Sequence, residues 1–212
     1  MRRRPRGLFL VLEGLDGAGT TTQSGRLAEW LRGRGRRVHL TAEPSRGPVG
    51  TLVRQVLARR VLGAGGAAFD PAALALLFAA DRLDHWESEI RVQLEQGADV
   101  VSDRYVLSSL AYQAVATGDP RWVAALNAKA PPPDLTLFLR VEARLALRRR
   151  FAAGTEREIF EVPAFQRKVA RAYGRALSSL RAGGARVVEI AGEKPVDEVA
   201  RRIAASVEPL LR

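Results

Sequence analysis

Gly14-Leu15-Asp16-Gly17-Ala18-Gly19-Thr20-Thr21-Thr22 sets glycines and then a run of hydroxyls between an apolar stretch and an amphipathic one. Glycines so spaced let successive backbone N–H groups converge on phosphate oxygens without interference from Cβ, and the start of a following helix adds the positive end of its dipole. Thr21 stands where a hydroxyl ligates Mg²⁺ in a phosphate-binding loop of the form GxxxxGK[ST]. Thr20, however, occupies the lysine position of that pattern. A lysine there bridges the β- and γ-phosphates, and losing one preorganised donor of this kind costs about 3–4 kcal/mol, or roughly 10²–10³ in rate. A plain glycine turn capping a helix would carry similar residues, so the rest of the chain has to decide.

Two further groups bear on phosphate chemistry. Val100-Val101-Ser102-Asp103-Arg104-Tyr105 is an apolar run that ends in a carboxylate and a guanidinium. Asp103 falls where a phosphate-loop enzyme holds its metal-organising acid, and Arg104 can fork onto a phosphate. Later, Arg144, Arg148, Arg149, Arg150 and Arg157 put dense positive charge before and within a segment containing Gly154-Thr155. A closing arginine neutralises charge on the equatorial oxygens of a phosphoryl group in transfer and helps to exclude water. For some of these arginines a solvated helix face is the competing reading.

The elements that must position these groups alternate. Apolar runs predict strands at Leu8–Glu13, Arg37–Thr41, Ala98–Asp103, Leu135–Arg140 and Arg186–Ile190. Helical periodicity predicts helices at about Gln23–Arg32, Val49–Arg60, Pro71–Gln96, Leu107–Ala116, Arg121–Ala128, Glu142–Ala153, Val162–Ala182 and Pro195–Leu211. This alternation predicts an α/β fold, a three-layer α/β/α sandwich whose five-stranded parallel sheet carries helices on both faces, with the glycine loop after its first strand placing it among P-loop kinase folds. A ligand then belongs at the carboxyl ends of the strands.

With 212 residues and 47% hydrophobic content, residues 1–212 are expected to form a single domain with a mobile lid at about 149–161 and a flexible basic tail at 1–6. Absence of cysteine excludes disulfides and thiolate metal sites and fits a cytoplasmic setting. No run of 18 apolar residues suggests a membrane span, and the start of the chain does not read as a signal peptide. The net charge of +11 is spread along the sequence with few interleaved aromatics, which argues for small polyanionic substrates over nucleic acid. Lysine occurs only at 129, 168 and 194, so arginine is strongly preferred for positive charge. That preference would explain an arginine at position 20 but does not explain threonine.

Asp103-Arg104-Tyr105-Val106-Leu107-Ser108-Ser109-Leu110-Ala111-Tyr112-Gln113 closely resembles the signature of thymidylate (dTMP) kinases. Glu13-Gly14-Leu15-Asp16-Gly17-Ala18-Gly19 resembles that family's loop opening, and Leu76-Leu77-Phe78-Ala79-Ala80-Asp81-Arg82 its thymine-contacting helix. Glu43-Pro44-Ser45-Arg46-Gly47-Pro48-Val49-Gly50 is similar to the loop after its second strand, with Ala42 where arginine is usual. Gly154-Thr155-Glu156-Arg157-Glu158 resembles its lid, with glutamate for the commoner aspartate.

The resemblance implies transfer of the γ-phosphoryl group of ATP to dTMP, with Mg²⁺ as cofactor and a homodimer as the assembly. It implies ATP binding by Gly14, Leu15, Asp16, Gly17, Ala18, Gly19, Thr20, Thr21 and Thr22, and metal binding by Thr21 and Asp103. Phe78 would stack on thymine, Arg82 would donate to its O4, Ser109 would bond the base edge, and Gln113 would help to fix the base. Tyr112 would press on the sugar against a 2′-hydroxyl. Asp16 would sit near the 3′-hydroxyl, Arg104 would grip the dTMP phosphate, and Arg157, with Arg149 or Arg150 next, would be the catalytic lid arginine. Read from the residues alone, the better reading makes Phe78 a core side chain and Arg82 an ion-pair partner of Asp81 or Asp84. Thr20 keeps open a catalytically impaired nucleotide-binding protein, and Ala42 and Ser45 a kinase for another nucleotide.

Overall fold

The computed structural model describes residues 6–152, 160 and 162–211. Its strands are β1 (Phe9–Gly14), β2 (Val38–Ala42), β3 (Asp99–Asp103), β4 (Leu135–Arg140) and β5 (Val187–Ala191). All pair in parallel, in the order β2-β3-β1-β4-β5. The helices are α1 (Thr20–Arg32), α2 (Pro48–Leu57), α3 (Pro71–His85), α4 (Arg91–Glu95), α5 (Val106–Thr117), α6 (Pro120–Leu126), α7 (Ala143–Ala152), α8 (Pro163–Ala182) and α9 (Val196–Val207).

β1 is buried throughout because both faces of the sheet are covered. Its residues alternate between two cores. Phe9 and Val11 pack with Ile90, Leu94, Val100 and Tyr105, whereas Leu10 and Leu12 pack with Leu27 and Leu31 of α1 and with the α8 face around Val169 and Tyr173. β1 lies between β3 and β4, so the crevice at its carboxyl end opens where strand order reverses, the usual position for a ligand in such sheets.

The expected strands are all present, with ends that differ by no more than one residue. The helices differ in three instructive ways. α1 begins at Thr20, earlier than Gln23, because Gly19 takes a left-handed φ of 94° and delivers the chain into the first turn directly from the glycine loop. The long helix expected over 71–96 is interrupted by a π-helical turn, Trp86–Ile90, that separates α3 from α4. At the end of the chain α9 stops at Val207 and a 3₁₀ turn, Glu208–Leu211, follows, because Pro209 has no N–H to continue the helix.

The amino ends of the strands are pinned by carboxylates. Asp99 is fully buried and accepts from Leu8 N at 2.9 Å and from Arg36 Nε and Nη2 at 2.7 Å each. Asp134 Oδ2 accepts from Phe9 N at 2.7 Å. These bonds hold β1 in register at the edge opposite the crevice. Replacing Asp99 by alanine leaves the half-buried Leu8 amide without its acceptor and Arg36 without its partner. Asp99→Ala should therefore cost about 2 kcal/mol of stability in a urea titration, with substrate affinities unchanged below the melting range.

Candidate active site

The carboxyl ends of the strands surround a cleft of about 870 Å³. The glycine loop and the first turn of α1 form its floor, from Asp16 to Gln23. Phe78 and Arg82 of α3, Arg104, and Ser109, Tyr112 and Gln113 of α5 line one end, while Arg149, Arg150 and Gly192–Val196 line the other. Of the expected site residues within the described part of the chain, these therefore share one space. Arg157 lies outside the described residues, as does most of the expected lid.

The loop is built for close approach. Gly17 has φ 84°, and a Cβ there would come 2.1 Å from Ala146 O and 3.1 Å from Arg150 N. The last turns of α7 thus rest directly on the phosphate loop, and Arg150 rides on the turn that touches it. Arg149 bonds the carbonyls of Gly192 at 2.8 Å and Glu193 at 3.3 Å, tying α7 to the segment after β5. Gln23 reaches the same segment through Val196 O at 2.9 Å. Thr20 is buried, and its methyl carbon lies 3.3 Å from where a Cβ on Gly14 would sit, so it packs against the end of β1.

Arg104 has φ 74°, a left-handed conformation that costs a non-glycine residue about 1–2 kcal/mol. Its surroundings hold it there. Its amide bonds Leu12 O at 2.8 Å, and its carbonyl accepts from the Ser102 hydroxyl at 2.8 Å. Nη1 reaches Gly14 O at 2.9 Å, Ser108 Oγ at 3.0 Å and Tyr173 OH at 3.4 Å, and Nη2 meets Asp16 Oδ1 at 2.6 Å. Nε and the second Nη2 hydrogen are left without an acceptor among the described residues. Burial opposes the charge, but Asp16 and its neighbours outweigh it and hold the guanidinium well above its ordinary pKa. Asp16 is fixed from its other side by Gln166 Nε2 at 3.2 Å, and its amide donates to Tyr112 OH at 3.0 Å.

Arg82 is the opposite case. It is 1% exposed, and its side chain meets Glu43 Oε2 from Nε at 2.9 Å and from Nη2 at 2.7 Å, Tyr105 O from Nη2 at 3.2 Å, and Ser109 Oγ at 3.1 Å and Asn127 Oδ1 from Nη1. Nε, both hydrogens of Nη1 and one of Nη2 are thus given to protein acceptors, and Nη2 is also in ion-pair contact with Glu43. Its ion-pair partner is Glu43; Asp81, offered by the sequence as a partner, instead takes Ser45 N at 2.7 Å and Ser45 Oγ at 2.5 Å. Direct donation from Arg82 to a base carbonyl therefore competes with these buried acceptors. Ser109, which accepts from Arg82, keeps its own hydroxyl hydrogen to donate.

Thr21 Oγ1 donates to Asp103 Oδ2 at 2.5 Å, while buried Asp103 Oδ1 has no hydrogen-bond partner among the described residues. An unsatisfied carboxylate oxygen beside a hydroxyl is a hard-oxygen pair suited to Mg²⁺, which takes few protein ligands and keeps water or phosphate for the rest. Among the described residues no cluster of three or more acidic, histidine or cysteine side chains competes for that role.

Sequence reasoning missed the support beneath these groups. Glu13 is fully buried; Oε1 accepts from Tyr105 N at 2.9 Å and Ser108 N at 3.1 Å, and Oε2 from Ser108 Oγ at 2.6 Å. Tyr173 of α8 bonds Gly14 O at 2.9 Å and lies 3.0 Å from Ser108 Oγ. Burial, aided by Asp16 near Tyr112 and Glu13 near Tyr173, pushes both phenols up, so they stay protonated at neutral pH. Glu13 and Ser108 stood inside motifs read for other residues. Gln166 and Tyr173, seven positions apart on α8, gave no signal beyond helical spacing.

A glycine loop running from a buried central strand into a helix, with a hydroxyl–carboxylate pair and an unsaturated arginine across the crevice, defines a P-loop phosphotransferase of the α/β class. The family model for thymidylate kinase matches residues 12–203, and the chain belongs to that family. It is 42% identical to a protein of Pyrococcus horikoshii named a probable thymidylate kinase, over 79% of this chain and 82% of that one. A protein of the same name from Pyrobaculum calidifontis is 39% identical over 95% of this chain and 96% of its own, and one from Thermococcus kodakarensis is 42% identical over 78% and 82%.

Glu13 gives the site a pH signature in stability. Burial pushes its carboxyl from 4.5 up to about 7, against the pull of Ser108, Arg104 and the Tyr105 amide. Between pH 4.5 and about 7 the folded chain keeps a proton that the unfolded chain has released, so stability falls as pH rises through that window, by about 3 kcal/mol in all. Glu13→Gln has no such proton and should lack this component. Denaturant midpoints measured for both proteins at about pH 5 and about pH 8 decide the matter, and equal slopes would refute it.

Proposed function

We propose that the chain is an ATP- and Mg²⁺-dependent dTMP kinase of the cytoplasm, which moves the γ-phosphoryl group of ATP to dTMP and releases dTDP and ADP. The carrying observation is that the phosphate loop, Arg104 and the group Phe78, Ser109, Tyr112 and Gln113 line one cleft in a member of the thymidylate kinase family. The names of its relatives and the chemistry of the two ends of the cleft support the same assignment.

The acceptor is an anionic phosphate oxygen, so no general base is needed and catalysis consists of alignment and charge neutralisation. The backbone N–H groups of Gly17 and of Gly19 to Thr22 hold the donor phosphates, those of Asp16 and Ala18 being given to Tyr112 OH and Leu15 O. Arg104 turns its uncommitted hydrogens to the dTMP phosphate while Asp16, braced by Gln166, faces the sugar 3′-hydroxyl. Tyr112, tethered through its hydroxyl, disfavours a 2′-hydroxyl by contact. Phe78 stacks on thymine, Ser109 reads the base edge with the hydrogen it retains, Gln113 assists, and Arg82 acts chiefly by holding Ser109 and Glu43 in position. Thr21 and Asp103 would hold Mg²⁺, which when bound supplies neutralising charge to phosphate oxygens.

The lysine's charge comes from α7. Arg149 bonds Gly192 and Glu193, on the far wall of the cleft, and Arg150 lines the cleft on the turn of α7 that abuts Gly17 of the phosphate loop. Arg150 is therefore the first replacement for the absent lysine, and Arg157 in the lid sequence the second. Leu76 and Leu83, 50% and 36% exposed and seven positions apart on α3, give an outward apolar stripe for a homodimer.

A coupled assay with ATP, Mg²⁺ and dTMP tests the activity and the substitution together. Wild type should form dTDP, and Arg150→Ala should lower kcat by about 10²-fold with little change in the KM for dTMP. Thr20→Lys should do little alone but restore much of the loss in Arg150→Ala. A gain of about 10²-fold from Thr20→Lys alone would mean the site is impaired instead of rebuilt, and binding of dTMP without dTDP at any ATP concentration would replace the enzyme with a nucleotide-binding relative. In sedimentation equilibrium the chain should run at twice its 23.1 kDa mass, and Leu76→Glu should run as a monomer.

A further inference from the structure

His85 ends α3, one turn after Arg82, with its side chain fully buried. Nδ1 lies 3.3 Å from Glu43 Oε1, and Nε2 lies 2.8 Å from Thr41 Oγ1 and 3.6 Å from Glu89 Oε1. Glu43 is shared. Its other oxygen, Oε2, is the one that receives Arg82 from Nε and Nη2. Glu89 is shared as well, because Oε1 also meets His39 Nε2 at 2.7 Å, and both of these side chains are about a third exposed. One unbroken chain of polar contacts thus runs from solvent through His39, Glu89 and His85 to Glu43 and Arg82, which lines the cleft beside Phe78 and Ser109.

We propose that His85 is a positioning residue for the acceptor nucleotide: held between Glu43 and Glu89, it fixes the Glu43 carboxylate and through it the Arg82 guanidinium that shapes the base end of the cleft. Only the identity of the ligand rests on the dTMP reading; the coupling rests on the contacts themselves.

The charged and titratable groups that face His85 are Glu43 from the loop after β2, Asp81 and Arg82 from its own helix, and Glu89 from the π-helical turn, with His39 behind Glu89. Burial works against a charge on the imidazole, but Glu43, Glu89 and Asp81 together exceed it and raise its pKa above the ordinary 6.5. As an imidazolium, His85 donates from both nitrogens, to Glu43 on one side and to Thr41 on the other, and the Thr41 hydroxyl is in turn bonded to Glu89. Glu43 then carries a cation on each oxygen. When His85 loses its proton, only one nitrogen can donate, to Glu43 or to Thr41, and in either tautomer Glu43 loses the positive charge beside Oε1, so its carboxylate, and the Arg82 Nε–H that it accepts, are held less firmly.

Two measurements test this. In steady-state kinetics the wild-type KM for the acceptor nucleotide should rise as pH climbs through the folded pKa of His85, with the KM for ATP unaffected. His85→Gln should raise the acceptor KM about 10-fold, the size of one charge-assisted hydrogen bond, leave kcat within a few-fold and flatten the pH limb. A loss of kcat with unchanged acceptor KM, or an unaltered pH profile, would overturn the proposal while leaving the kinase assignment standing. The second measurement needs only the native chain: it has two histidines, so ring NMR signals of His39 and His85 can be resolved and titrated. Saturating nucleoside monophosphate should shift the His85 titration and ADP should not. If dTMP is not phosphorylated, the same titration with other nucleoside monophosphates separates the two ideas, because a response to any of them upholds the coupling and a response to none removes it.

Discussion

A carboxylate that never meets the substrate holds the site together. Glu13, the fifth residue of β1, ends in a dry interior and can remain there only because the first turn of α5 turns two amides and a hydroxyl toward it. These bonds fix the start of α5 directly after the left-handed step at Arg104, whose guanidinium crosses from one strand end to the loop of the other. Burial of one acid is thereby converted into the orientation of one base. The strain at Arg104 is local, while the bonds that offset it come from β1, α5 and α8, so the geometry belongs to three elements at once.

Much of this was legible in the chain because its strong signals are periodic or chemical. Apolar runs fixed by a two-sided sheet leave little room for error, and β4 begins and ends where its apolar run does. The glycine loop, Asp103 and Arg104 stood out because a phosphate-binding loop restricts residue type, whereas Phe78 and Ser109 stood out only through the resemblance to thymidylate kinases. The supports did not. Glu13 reads as part of a loop motif, Gln166 and Tyr173 as polar members of an amphipathic helix, and Glu43 as one letter of a proline turn; nothing in spacing says that an acid will be buried under an arginine 39 positions away. The pairing of Arg82 with Glu43 instead of with a neighbour on its own helix is decided by tertiary approach, which a helical pattern does not carry.

On the proposed reading, Thr20 leaves positive charge to be supplied from around the loop instead of from one side chain within it. In a chain that uses arginine almost everywhere for positive charge, the position that would hold a flexible ammonium holds a small, buried residue packed on the end of β1. α7 touches the loop at Gly17 and carries Arg150 on the wall of the cleft, so a guanidinium can approach the loop from that helix. The energetics are then a matter of where the donors converge, not of which element supplies them.

The π-helical turn at Trp86–Ile90 shows the same economy in the backbone. A π turn amounts to one residue more than an α-helix needs, and one residue rotates everything after it by about 100°. Before the turn, α3 directs Phe78, Arg82 and His85 toward the cleft and its supports; after it, Ile90 and Leu94 face the sheet against Phe9 and Val100. A regular helix has a single phase and would satisfy only one of these surfaces. The extra residue makes the segment a gearbox between two registers, one answering to the ligand and the other to the core, so that mutational drift in either face need not be compensated in the other.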